Sequence, residues 1–260
     1  VKDLSLYNYK NHGFQLVKIM GLRHKVEKVK NILELALEKA QKKFTKLGFC
    51  ENGVLDKIAI SKVLSDKKNK LDHETRQLLT GQFPIETRLN EQILNLAKDK
   101  ELIRQLNAKT NAKIDKIHMP PMARFVLPGY LEAAVPAHQD SAYNKHMTDF
   151  ITVWIPIVDI DEKCGGVTVF PGVMKEIENL NLGDNGQWLE SLKISNKNSI
   201  DCTPMSLGDI LILNKNTIHK SMKNKSTMIR FSLDLRYMSQ GSKTKKHYFC
   251  LNSNKVIKPN

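Results

Sequence analysis

Two residue types spaced for metal chemistry stand in the run Val135-Pro136-Ala137-His138-Gln139-Asp140. On an extended strand, side chains two positions apart leave on the same face. An imidazole nitrogen of His138 and a carboxylate oxygen of Asp140 could therefore reach one cation. A second histidine from far along the chain would complete two imidazoles and one carboxylate, leaving half an octahedron open. That is the ligand set of non-haem Fe(II) oxygenases. His-x-Asp triplets are common, and the competing reading is a polar pair on a strand edge.

What surrounds the pair gives it weight. A polar stretch over 141–149 leads into the apolar Phe150-Ile-Thr-Val-Trp-Ile-Pro-Ile-Val158. A turn at Asp161-Glu-Lys-Cys-Gly-Gly166 precedes the short Val167-Thr-Val-Phe170 and the stop Pro171-Gly172. Later, Leu207-Gly-Asp-Ile-Leu-Ile-Leu213 leads to His219, and Met228-Ile-Arg-Phe-Ser-Leu-Asp-Leu-Arg-Tyr237 closes the pattern. This order, over roughly 110–240, resembles the phytanoyl-CoA dioxygenase family of Fe(II)/2-oxoglutarate oxygenases.

The resemblance implies a metal held by His138, Asp140 and His219, with Fe(II), 2-oxoglutarate and O2 as cofactor and cosubstrates. Arg230 lies at the family's spacing after His219 for gripping the far carboxylate of 2-oxoglutarate. An Arg on an otherwise apolar strand needs an anionic partner, and a guanidinium pairs bidentately with a carboxylate; a structural ion pair is the alternative. Ser232 shares the face of Arg230 and could donate to the same carboxylate. Trp154 falls where relatives often carry a tryptophan near the cosubstrate, and plain core is its other reading. Tyr143 and Arg124 are candidates for the pocket mouth and substrate, against structural roles. Arg236 is left between facing substrate, capping a sheet edge, and pairing with Asp234 or Asp209. The other six histidines lack such context; His146 is the nearest competitor but sits in a polar loop. The family's Pro-Gly turn is commonly followed by Ser-His, where this chain has Val173-Met174.

The implied reaction is hydroxylation of an unactivated C–H bond with release of succinate and CO2. Related halogenases lack the ligand carboxylate, whereas Asp140 is present here. Two other classes stand beside this reading. One is a catalytically silent binding protein on the same fold. The other is a same-superfamily oxygenase acting on nucleic acid or on a CoA thioester. The formal charge of +14 invites a nucleic-acid partner, but only seven of the 41 basic residues are arginine, the preferred fork for phosphate and bases. A Lys-rich solvated surface, or attraction of an anionic small molecule, accounts for the charge instead. The expected partner is thus a small polar or anionic metabolite.

These residues need a scaffold. Strand-length segments separated by Pro, Gly and Asp turns from about residue 112 to Tyr237 suggest a sandwich or barrel. With the resemblance they imply a mainly β fold with flanking α-helices: a double-stranded β-helix (jelly roll, cupin-like) core buttressed by N-terminal helices. The expectation is one domain over 1–260, with a mostly helical buttress at 1–110, a β-core at 111–240 and a C-terminal tail at 241–260. Within the core, 174–206 reads as an insertion, a lid or a passive loop, with a short helix at Gln187–Lys193 carrying Trp188. In the buttress, a stripe from Val26 to Phe44 predicts a helix stopped by Gly48. Asp72 is the expected cap of a second helix, and Ile85 to Leu106 runs in helical rhythm after Pro84. Phe14-Gln-Leu-Val-Lys-Ile19 is strand-like. No apolar run reaches the ~20 residues of a bilayer span. Four scattered cysteines without C-x-x-C, and an opening lacking a signal-peptide layout, point to a cytoplasmic setting.

Overall fold

The computed structural model describes residues 3–52, 54–66, 68–172, 174–179, 181–184 and 186–259. In chain order its elements are α1 (Tyr9–His12), β1 (Phe14–Lys18), α2 (Arg23–Lys46), β2 (Cys50–Glu51), β3 (Val54–Leu55), α3 (Lys57–Ser65), α4 (His73–Leu79), α5 (Ile85–Arg88), α6 (Glu91–Ala97) and α7 (Lys100–Thr110). There follow β4 (Ile114–His118), β5 (Met122–Val126), α8 (Asp140–Tyr143), β6 (Ile151–Pro156), β7 (Val167–Phe170), β8 (Ile200–Asp201), β9 (Asp209–Asn214), β10 (Ile218–Ser221), β11 (Arg230–Ser239), β12 (Tyr248–Cys250) and β13 (Lys255–Ile257).

Two antiparallel sheets form the jelly-roll core. The larger runs β1-β9-β6-β11-β4-β12-β13, with β5 also paired to β11; the smaller runs β10-β7-β8. The ten-residue β11 is the spine. One edge holds β6, while β5 pairs with Arg230 to Asp234 and β4 with Tyr237 to Ser239 along the other. Period-two alternation explains which residues reach the interior. Phe231, Leu233, Leu235 and Tyr237 of β11 are buried in the main core, whereas Arg230, Ser232, Asp234 and Arg236 line a cavity.

The helices cover the outer face of the large sheet. Val26, Val29, Leu33, Leu37, Ala40 and Phe44 of α2 are buried at helical spacing, and Gly48 supplies the left-handed residue that ends the helix at φ 77°. Asp72 caps α4 through Thr75 N at 2.8 Å. The rhythm from Ile85 to Leu106 is not one helix but three, because Asn90 and Asp99 each turn back to cap Gln92 N and Leu102 N. Such side chains compete with the helical backbone and restart it. The sequence assigns nothing between Gly48 and Asp72, yet α3 forms there, capped by Asp56 and burying Ile60 and Leu64.

Two segments do more than expected. The strand-like Phe14–Lys18 is the edge of the large sheet, paired with β9, so the buttress also supplies core. The tail at 241–260 contributes β12, paired to β4, and β13. Conversely, the helix expected at Gln187–Lys193 does not form. That segment turns on a bridge between Leu182 and Leu189, and Trp188 and Leu189 are drawn inward to 7% exposure each. Val173 lies outside the described residues, as do Lys67, Leu180 and Asn185.

Candidate metal centre and its pocket

His138 and His219 are placed by the backbone. His138 N donates to His219 O at 3.0 Å, and His219 N donates back to His138 O at 3.0 Å. This one-residue antiparallel bridge adds the His138 segment to β10, which pairs on its other side with β7. Directly opposed residues send their side chains to the same face, and the two imidazole centroids stand 4.3 Å apart. Asp140 does not continue a strand, contrary to expectation. Gln139 is extended but Asp140 opens the short α8, because Ser141 N is taken by Lys215 O and Ala142 N turns back to Gln139 O. The carboxylate still arrives at the imidazoles: ligand atoms of His138, Asp140 and His219 lie within 4.8 Å of one another, and all three residues are buried.

The donor chemistry fits a divalent ion. His138 Nδ1 lies 2.7 Å from Pro136 O, and His219 Nδ1 lies 2.9 Å from Thr217 O. A ring nitrogen facing a carbonyl must carry its proton, so Nε2 of both rings is the lone-pair nitrogen. His138 Nε2 faces Asp140 Oδ1 at 3.6 Å, too long for a hydrogen bond. Burial, with His138 close by, pushes His219 down to about 4, so it is neutral and able to ligate at neutral pH. Burial alone would raise Asp140, but the Arg236 guanidinium and the two imidazoles hold it well below the ordinary carboxylate range. Thr152 Oγ1 donates to Asp140 Oδ2 at 2.5 Å, and Arg236 Nη2 stands 3.3 Å from Oδ1. The carboxylate is thereby ionised and oriented.

The triad opens into a cavity of about 590 Å³ between the two sheets. Arg230 is 3% exposed on its wall. Its Nη1 donates to three carbonyls, those of Met222, Cys164 and Gly166. Its Nε has no partner among the described residues. No carboxylate lies within ion-pair distance of it among those residues, so the structural ion pair is not formed. Desolvation lowers it to about 10, which leaves a buried cation without a counter-ion. Ser232 and Trp154 line the same cavity, and Trp154 also packs into the smaller core.

The remaining candidates also line the pocket. Arg236 pairs with neither Asp234 nor Asp209 but with Asp140. Tyr143 sets its ring edge-on to His138 at 5.1 Å and accepts a bond from Leu189 N at 2.7 Å; burial pushes its phenol up to about 12. Arg124 donates to Ala133 O and lies 4.7 Å over the Trp188 ring. Trp188 itself donates to Glu132 O at 3.0 Å, so the 174–206 segment closes one side of the pocket.

Four contributors escape the sequence reading. Gln139, between the ligands, points away from them and clamps the segment: its Nε2 donates to Lys175 O and Asn216 O, and its Oε1 accepts from Ile177 N. Alternation across an extended residue is the signal that could have found it. Thr152 is readable only as one more β-branched strand residue. His118 and His146, set aside as ordinary histidines, meet at 3.0 Å inside the pocket.

The family model described as phytanoyl-CoA dioxygenase (PhyH) matches residues 59–232. The 1-deoxypentalenic acid 11-beta-hydroxylase of Streptomyces exfoliatus is 28% identical over 136 residues, 48% of this chain and 47% of that protein. The chain thus spans about half the length of this curated relative. Among solved structures, the non-heme monooxygenase ThoJ shares the fold at a TM-score of 0.62 and 12% identity, covering 96% of this chain and 83% of that one. The non-heme alpha ketoglutarate dependent carbocyclase SnoK from nogalamycin biosynthesis does so at 0.57 and 13%, covering 94% and 86%. EvdO2 from Micromonospora carbonacea var. aurantiaca matches at 0.57 and 14%, covering 89% and 88%. Since the family match runs through all three ligand candidates and on past Arg230, the chain belongs to the phytanoyl-CoA dioxygenase family.

Proposed function

We propose that this protein is an Fe(II)/2-oxoglutarate-dependent dioxygenase that hydroxylates an unactivated C–H bond of a small polar or anionic metabolite. The observation that carries the reading is the buried triad with both Nε2 atoms freed toward one carboxylate. His138, Asp140 and His219 would hold the metal, and Arg230, uncompensated on the same pocket wall, would bind the distal carboxylate of 2-oxoglutarate, with Ser232 beside it. Bound Fe(II), 2-oxoglutarate and O2 supply the oxidising power that a protein side chain cannot, with succinate and CO2 as co-products.

The chain's own part is geometry and exclusion of water. Thr152 and Arg236 keep Asp140 ionised, the carbonyls of Pro136 and Thr217 set the histidine tautomers, and Trp154 and Trp188 give the cavity apolar wall. A carboxylate at 140 fills the place that a halide would need, which favours hydroxylation over halogenation. Among the described residues no helix is long and apolar enough to cross a membrane. All four cysteines are free thiols, which suits the cytoplasmic setting.

Anaerobic titration of the protein with Fe(II) and 2-oxoglutarate tests this. A visible charge-transfer band should develop at one equivalent of each, and a screen of metabolites should then find substrate-dependent succinate. A protein that gives no band with both additions is not this enzyme.

A further inference from the structure

The pocket has a second cationic end, six residues along β11 from Arg230. At a strand rise of about 3.3 Å per residue, the Cα atoms of Arg230 and Arg236 stand roughly 20 Å apart, and both side chains face the cavity. A five-carbon diacid held between Arg230 and the triad fills that part of the wall, so the corner of His118, His146 and Lys246 is left for another molecule.

Three further groups gather there. His118, at the end of β4, and His146 place their Nε2 atoms 3.0 Å apart, with ring centroids at 5.0 Å. Lys246 lines the same cavity. The two loops that carry His146 and Lys246 are laced together by Thr148 N to Lys243 O at 3.0 Å and Lys245 N to His146 O at 3.1 Å. The end of β4 and the two bonded loops fix these positions.

The charges around this corner do not balance. Asp140 and Asp234 face Arg124 and Arg236 and offset them. Lys246 forms no ion pair among the described residues, and the cations acting on the two imidazoles are Arg236 and Lys246 itself. Burial first, and then those two cations, press His118 down to about 3 and His146 to about 4. The Arg236 Nε is buried with no acceptor among the described residues. A buried guanidinium nitrogen without an acceptor and a lysine without a carboxylate partner, on the wall they share with two uncharged imidazoles, leave this corner short of an anion.

We propose that His118, His146, Lys246 and Arg236 form the seat for an oxyanion of the substrate, a carboxylate or a phosphate monoester. The inference rests on the oxygenase reading of this pocket and names its substrate class. Because Arg236 touches both this corner and Asp140, the anionic group anchors the substrate on the Asp140 side of the triad. The bond to be oxidised then lies within a few atoms of that group.

The test uses the metal-free full chain at constant ionic strength, with chloride as the balancing anion. Inorganic phosphate and acetate are titrated separately while the imidazole carbon–proton NMR signals of His118 and His146 are followed, His146→Gln supplying the assignment. One of the two anions should move these signals saturably, and which one identifies phosphate or carboxylate as the preferred group. Lys246→Gln, at an exposed position that leaves packing intact, should weaken that binding at least fivefold. Absence of saturable movement with either anion overturns the proposal, as does equal affinity in wild type and Lys246→Gln. The Fe(II)/2-oxoglutarate band of the wild type is recorded in parallel; its absence would sink the oxygenase reading while leaving the anion result to stand or fall separately.

Discussion

A metal ligand is only as good as the group that orients it, and here each orienting bond is identifiable. Outer partners of ligands are worth roughly ten- to a hundredfold in metal affinity. Thr152→Val removes the hydroxyl that donates to Asp140 Oδ2 while keeping the strand-compatible branched shape. It should weaken Fe(II) binding by about that factor, measured by competition with a chelator, with the fold unchanged by circular dichroism. His138→Ala should go further and abolish both iron binding and substrate-dependent succinate release; retained turnover would refute the ligand assignment. Arg230→Lys keeps a charge but loses the fork. Hydrogen bonds to charged groups contribute about 1.5–3 kcal/mol, so the KM for 2-oxoglutarate should rise roughly ten- to hundredfold. Iron affinity should stay within about twofold, and a parallel loss of both would make Arg230 a structural residue.

At the scale of elements, the decisive piece is the segment over 174–206. From 174 to 195 it is tied to the core by a limited set of bonds, among them the Gln139 amide to Lys175 O and Ile177 N, Trp188 Nε1 to Glu132 O, Leu189 N to Tyr143 Oη, and Leu192 N to Ala137 O, whereas β8 anchors its far end in the smaller sheet. Segments with few buried contacts open at low free-energy cost. Trypsin should therefore cut within it in the metal-free protein, and less readily once metal, cosubstrate and substrate are bound. Tyr143→Phe, which removes the acceptor for Leu189 N, should speed that first cut severalfold. Cutting elsewhere in the chain first, in a time course read by mass spectrometry, would show that the segment is no weaker than the rest.

The whole molecule carries an acid lability written into its interior. His118 is held far below its ordinary value, so between about pH 3 and 6.5 the unfolded chain binds a proton that the folded chain refuses. Stability then rises with pH through that window and falls on acidification, by up to about 1.4 kcal/mol per pH unit for such a group. The urea midpoint of the metal-free protein should drop as pH is lowered from 6.5 toward 4, and His118→Gln should flatten the slope. A pH-independent midpoint over that range would mean His118 is not buried as described. The same refusal of charge is what an anion at the Arg236 corner would relieve.

What could be read from residue order alone was whatever depends on local period and pairwise spacing. The strands from Ile114 to Ser239, the α2 stripe and the Asp72 cap follow from side-chain direction and backbone hydrogen bonding over a few residues. His138, Asp140, His219 and Arg230 were legible because their order and intervals resemble a known family, and the geometry brings the first three together. Only the tertiary structure decided the rest. Asp140 lies on a helical turn because Lys215, 75 positions away, takes the Ser141 amide. Arg236 pairs with Asp140, 96 positions earlier, only because the folded chain sets that segment across the cavity from β11. Thr152, Gln139, Trp188 and the His118–His146 pair acquired roles only when distant segments met. Contacts of that kind depend on which surfaces the folded sheets bring face to face, and no local period in the chain encodes them.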